Sequence, residues 1–252
     1  MRPSLASIAL AALASAMCVA TAPRTGCAEA AKLGVSVTFA DSTSLERYRD
    51  YVAFLSGDPV RFDAELATLA RLERSDVTYV VRVGGRCASG VEGNLTTDGQ
   101  RIFVTVSDQG GAFGETASLN SRLAHELEHA RQFDAGELAF VRDGQSQKWH
   151  PIYGSYDIGD EVKAWAAQLR ASNQKDYWYV TDRKRKPSLL QLFAAARDDE
   201  QRAATLRQHG YADRYPVPDA DVVFTRASGF VAGDLVRPDG ALAVFGRVRR
   251  IV

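Results

Sequence analysis

Neither sign of charge is in excess: Lys plus Arg and Asp plus Glu both number 31, so the formal net charge is zero. A chain without a basic surplus lacks the electrostatic footprint of a nucleic-acid binder or of a protein held on an anionic membrane surface. Cysteine is scarce, with three in 252 residues. Cys18 and Cys27 both lie in the N-terminal leader described below, and the single Cys87 beyond it excludes a disulfide scaffold. No base stands near Cys87 in sequence, so it reads as a buried structural thiol rather than a nucleophile. Methionine occurs only as Met1 and Met17, and histidine only as His125, His129, His150 and His209. Internal repeats and low-complexity tracts are missing, which excludes a solenoid or a disordered tail. What is present, 46% hydrophobic and 25% charged residues, suits an ordinary soluble globular chain.

The N-terminus has the form of an export signal. Arg2 is followed by an uncharged stretch from Pro3 to Pro23, Ala-rich between Leu5 and Ala20, and Ala28-Glu29-Ala30 fits a small-x-small cleavage site. Residues 1–30 are therefore expected to be a cleaved signal peptide, without stable membrane insertion afterwards, and the mature protein to be secreted or periplasmic. Alanine is too weakly apolar to make this stretch a good membrane anchor.

The remainder reads as α+β. Residues 44–56 place Leu45, Tyr48, Val52 and Leu55 at helical spacing, and Gly57-Asp58-Pro59 stops them. Pro59 to Arg74 predicts a second helix. The β-branched runs Asp76–Val83 and Arg101–Val106 predict strands, with glycine-rich loops at 84–93 and 110–114. A helix carrying Leu119, Leu123 and Leu127 should end at Gly136. Residues 137–158 read as mostly loop, Asp160–Ala171 as a helix, Arg183–Lys186 as a solvated basic connector, and Ser188–His209 as one helix. The tail from Val222 to Val252 reads as short strands between turns. Residues 31–180 would then form the main domain, with 181–252 as a C-terminal helical and β extension packed on it.

Residues 123–133 read LAHELEHARQF. On a helix, His125 and His129 are four apart, so both imidazoles project from one face about a turn apart. That spacing suits two positions on a tetrahedral zinc ion, and Glu126 lies beside the pair, able to reach a water at the metal without ligating. This is the H-E-x-x-H pattern. A bland alternative, two histidines on a solvated helix face, sits poorly with the strand and short link that precede this helix. A catalytic zinc normally takes three protein ligands. The extension H-E-x-x-H-x-x-G-x-x-H fails, because Gln132 and Ala135 stand at the glycine and third-histidine positions and no methionine follows the helix. A later glutamate in E-x-x-A spacing succeeds: DEVKAW at 160–165 supplies Glu161, with small Ala164 nearly on the same face to allow close helix packing. Asp157 and Asp160 are rival carboxylates.

On His125, Glu126, His129 and, more loosely, Glu161 with Ala164, the chain resembles the zincin superfamily of zinc metallopeptidases over about residues 76–171, and within it the glutamate-ligand branch, the gluzincins. The resemblance implies a small mixed sheet over the motif helix and a second ligand helix. It implies zinc on His125, His129 and Glu161, Glu126 as general base, and hydrolysis of a peptide or protein substrate. It also implies that an edge strand pairs with extended substrate; Arg101–Val106 is the candidate by position. Many gluzincins carry an Asp where this chain has Trp165, so another group must orient a zinc histidine. Tyr156, Tyr153 and His150, in the stretch between the ligand helices, are candidate oxyanion donors. The alternative function is a zincin-like module that holds zinc without turnover. Glu126 argues against it, since a closed structural site needs no base.

Overall fold

A computed structural model describes residues 36–84, 93–108, 119–152, 158–172, 187–213, 220–226 and 249–251. It is mixed α+β. Strand β1 (Val37–Phe39) leads into helix α1 (Ser42–Ser56), whose first turn is capped by Asp41 accepting from the Ser44 amide at 2.7 Å. Helix α2 (Asp63–Glu73) starts four residues after Pro59, later than the sequence suggests. Asp58 accepts from the Arg61 amide and organises a turn there, and the acidic Asp63 and Glu65 favour the helix N-terminus that follows. The chain then enters β2 (Thr78–Val83), parallel to β1.

Strands β3 (Gly93–Thr97) and β4 (Arg101–Val106) form a hairpin. Its turn is set by Asp98, which accepts from the amides of Gln100 and Arg101, and by Gly99 at φ 88°. The sheet order is β1-β2-β4-β3, with β2 and β4 parallel and β3 antiparallel at the edge. Arg101–Val106 is thus an interior strand, correcting its expected place at the edge. The edge is β3, whose Gly, Asn and Thr content hides it in the sequence. Paired residues Tyr79 and Ile102, Val81 and Val104, and Val83 and Val106 all point into the main core. On the opposite face Arg82 and Arg101 lie over the Phe103 ring.

Helix α3 (Leu119–Asp134) buries Leu123, Leu127 and Ala130 among these core residues and ends at Gly136, φ 76°. Residues 137–158 are not mostly loop. They hold β5 (Ala139–Asp143) and β6 (Trp149–Ile152), an antiparallel hairpin whose turn is closed by Asp143 accepting from the Gln145 and Ser146 amides. Strand β7 (Ala220–Phe224) pairs with β5 and β8 (Arg249–Ile251) with β7, giving a second sheet ordered β6-β5-β7-β8. Phe133 of α3 sits between Phe140 and Phe224, at centroid distances of 5.7 and 5.0 Å.

Helix α4 (Gly159–Ala171) packs on α3. The expected helix over 188–209 is two helices, α5 (Leu189–Ala195) and α6 (Asp199–Gln208). Ala196 is extended, and Asp198 caps a new start by accepting from the Gln201 amide. Leu190, Phe193, Ala203 and Leu206 form a second cluster with Ile158, Val162 and Trp165 of the α4 segment. Among the described residues no helix is long and apolar enough to cross a membrane. Cys87 and Arg183–Lys186 lie outside the described residues.

Candidate metal centre

The apolar stripe of α3 fixes the helix against the core, and that fixes where the residues between its leucines point. His125, Glu126 and His129 fall on a buried flank facing α4 and the β3 edge. Glu161, in the first turn of α4, comes to the same place, because Ala164 one turn on is fully buried and lets the two helices approach closely. The Nε2 atoms of His125 and His129 are 3.2 Å apart, and Glu161 Oε2 lies 3.7 Å from each. A point about 2.1 Å from all three atoms therefore exists, an ordinary coordination distance for a divalent ion held by imidazole and carboxylate. Among the described residues the buried Glu161 Oε2 accepts no hydrogen bond, and what faces it are the two imidazole Nε2 atoms; a cation between them would satisfy a carboxylate oxygen that burial otherwise penalises. The donor set fits a metal, and these three buried residues form a group able to hold one.

Asp160, the rival ligand, is turned aside: its Oδ1 pairs with Lys163 Nζ at 3.1 Å. Asp157, Tyr153 and Tyr156 lie outside the described residues. His150 sits on β6, with Nε2 4.0 Å from Asp143 Oδ2, and does not join the cluster.

The groups that orient the three ligands are ones the sequence did not name. His129 Nδ1 lies 2.8 Å from Gln132 Oε1, and Gln132 Nε2 donates to the Asp160 carbonyl at 2.8 Å. The ring of Trp165 meets that of His125 edge-on, centroids 5.6 Å apart. Gln132 was missed, although its place at i+3 from His129 on the same helix face is a signal that could have found it. Gly93 carried no such signal, yet a Cβ placed on it would lie 2.5 Å from Glu126 Oε1. The edge strand therefore comes close to the Glu126 carboxylate only because residue 93 has no side chain.

Electrostatics separate the three central groups. Burial, with the neighbouring His129, pushes the His125 imidazole down to about 3 and keeps it neutral. Burial opposes charge on His129 as well, but the Glu161 carboxylate outweighs it and raises His129 to about 9. The reciprocal effect holds Glu161 below its ordinary value in spite of its burial. Burial raises Glu126 to about 7, with Glu161 adding to the effect and His129 opposing it. A carboxylate poised near neutrality can both take and return a proton.

No protein-family model, curated protein or solved structure matches the chain.

Proposed function

We propose that this protein is a zinc-dependent peptidase of zincin type, with a glutamate third ligand, acting outside the cytoplasm. The reading rests above all on the buried Glu161 Oε2, which accepts no hydrogen bond from the described residues and faces two imidazole Nε2 atoms at 3.7 Å. Two histidines and a carboxylate leave a fourth position open, which is the ligand count of a catalytic rather than a structural zinc site. A zinc ion there would supply Lewis acidity and lower the pKa of water toward neutrality.

This chain's own residues do the rest. Glu126 lies beside the two histidines without joining the ligand cluster, and its raised pKa suits a group that takes a proton from attacking water and delivers it to the leaving amine. Gly93 keeps β3 close to that carboxylate. Among the described residues β3 pairs on one side only, and its other edge would offer backbone donors and acceptors to an extended peptide, placing a scissile bond alongside the centre. The leader at residues 1–30 supports action in a secreted or periplasmic setting.

Glu126→Gln tests the assignment. The variant keeps the shape of the side chain but cannot accept the proton, so peptide hydrolysis should fall by roughly 10²- to 10⁴-fold while stoichiometric zinc is retained. Hydrolysis at the wild-type rate in this variant would rule out Glu126 as the base. A wild-type protein that binds zinc but cleaves no peptide would favour a metal-holding module without turnover.

A further inference from the structure

We infer that Gln132 is a positioning residue for the metal centre, one carboxamide that fixes both the tautomer of His129 and the placement of Glu161. The inference rests on the metal-site reading above and assigns a role that the motif does not contain.

His129 Nε2 faces the ligand cluster, so to hold a cation there the ring must keep that lone pair free and carry its proton on Nδ1. A buried Nδ1–H needs an acceptor. Gln132 Oε1, at 2.8 Å, is in that position. The other end of the same carboxamide donates to the Asp160 carbonyl, again at 2.8 Å. The two contacts determine the amide's orientation. Rotating it by a half-turn would set two donors face to face at His129 and two acceptors face to face at Asp160, losing both bonds at once. Gln132 is fully buried, so water cannot take over either role.

The second bond matters because of where it lands. Asp160 immediately precedes Glu161 in the first turn of α4. Gln132 on α3 therefore pins the backbone next to the third ligand while it orients the second. The two ligands it governs come from different helices, and their separation of 3.7 Å sets the size of the centre. His125 is held differently: among the described residues its Nδ1 has no partner at ordinary hydrogen-bond geometry, Gln168 is its polar neighbour, and its ring meets Trp165 edge-on. The neutral amide of Gln132 thus stands where a carboxylate would otherwise orient the ligating histidine, and leaves more positive charge on the metal than a carboxylate would.

Two variants test this on the full-length mature chain, with zinc affinity measured by chelator competition and Co²⁺ absorption spectra recorded well below each variant's Tm. Q132M keeps the length and loses both bonds; zinc affinity should fall about 10- to 100-fold, with altered Co²⁺ d–d bands. Q132E keeps an acceptor for His129 but sets a second acceptor against the Asp160 carbonyl. It should bind zinc at least about tenfold more tightly than Q132M, with a Co²⁺ spectrum shifted from wild type, as outer-shell changes of this kind produce. A purely structural role would lower Tm in both variants and leave the Co²⁺ spectrum and low-temperature affinity unchanged. That result in a wild-type chain that binds zinc overturns the role of Gln132 alone. Absence of stoichiometric zinc from the wild type, with no change on His129→Ala, overturns the metal-site reading instead. Should Q132M fail to fold, Q132E decides: a wild-type spectrum and affinity in that variant refute the link to α4.

Discussion

Gly93 shows how much a single missing side chain controls here. Its backbone approaches Glu126 so closely that a methyl group would overlap Oε1, Cγ and Cδ of that carboxylate, at 2.5, 2.8 and 2.9 Å. Gly93→Ala therefore has to turn Glu126 away or push β3 outward. Either movement separates the proposed base from the edge that would carry substrate, and a misplacement of about 1 Å can cost 10²-fold in rate. Gly93→Ala should therefore reduce peptide hydrolysis by at least about tenfold, while zinc content, set by His125, His129 and Glu161, stays stoichiometric. Rate assays paired with metal analysis would check this; an alanine variant of full activity would mean that Glu126 is not constrained by the strand.

At the scale of elements, α3 is anchored at its C-terminal end by contacts that have no part in the metal centre. Asp134, buried at the last turn, accepts from Arg71 Nε at 2.6 Å, Ser75 Oγ at 2.5 Å and Tyr79 OH at 3.0 Å. These contacts bind α3 to α2 and β2, while Arg226 after β7 approaches the same carboxylate and also pairs with Asp76. Asp134→Ala takes the carboxylate away from the Tyr79 hydroxyl, Ser75 Oγ and Arg71 Nε, while Arg71 keeps its bond to the backbone carbonyl of residue 134 at 3.0 Å. Arg71 is about half exposed and can turn to solvent, so the cost falls below that of a fully buried pair, at about 2–3 kcal/mol. Thermal unfolding should show a Tm lower by roughly 5–10 °C. The sequence made α3, α4 and β4 legible because each carries its own signal: leucines one turn apart, apolar residues such as Val162, Trp165 and Leu169 at helical spacing, a run rich in β-branched residues. The residues of the cluster were legible for the same reason, since His125, Glu126 and His129 are local and Glu161 stands in an E-x-x-A step with Ala164. The hairpin β5–β6 was not, because its four-residue apolar run Leu138–Val141 gains its order from β7, far along the chain. Nor was the break between α5 and α6, where Asp198 prefers to cap a new helix rather than continue an old one. Gln132 and Gly93 escaped because their roles exist only once α4 and β3 are brought to α3.

For the whole molecule, the centre is a junction. Glu161 enters it from α4, and α4 carries on its other side the cluster with Leu190, Phe193 and Leu206, while α3 carries the main core. An ion at this point would bind the folded chain and not the unfolded one, so it should stabilise both clusters together by linkage, about 4 kcal/mol at a thousandfold excess over Kd. Stripping with a chelator at pH 8 should then lower Tm by about 8–16 °C, and zinc should restore it. The effect should weaken with acid, and the sign follows from His129. Without metal, the Glu161 carboxylate raises His129 to about 9, so below that pH the imidazole is protonated and the ion must displace its proton. Each pH unit downward from there costs about tenfold in apparent affinity, or about 1.4 kcal/mol. The chelator-induced shift should therefore shrink from pH 8 to pH 6, and it should vanish at every pH in Glu161→Ala, which removes both the third ligand and the charge that holds the His129 proton. A shift that stayed constant over this range would mean that the ion does not compete with a proton on His129, and that the stabilising metal sits elsewhere.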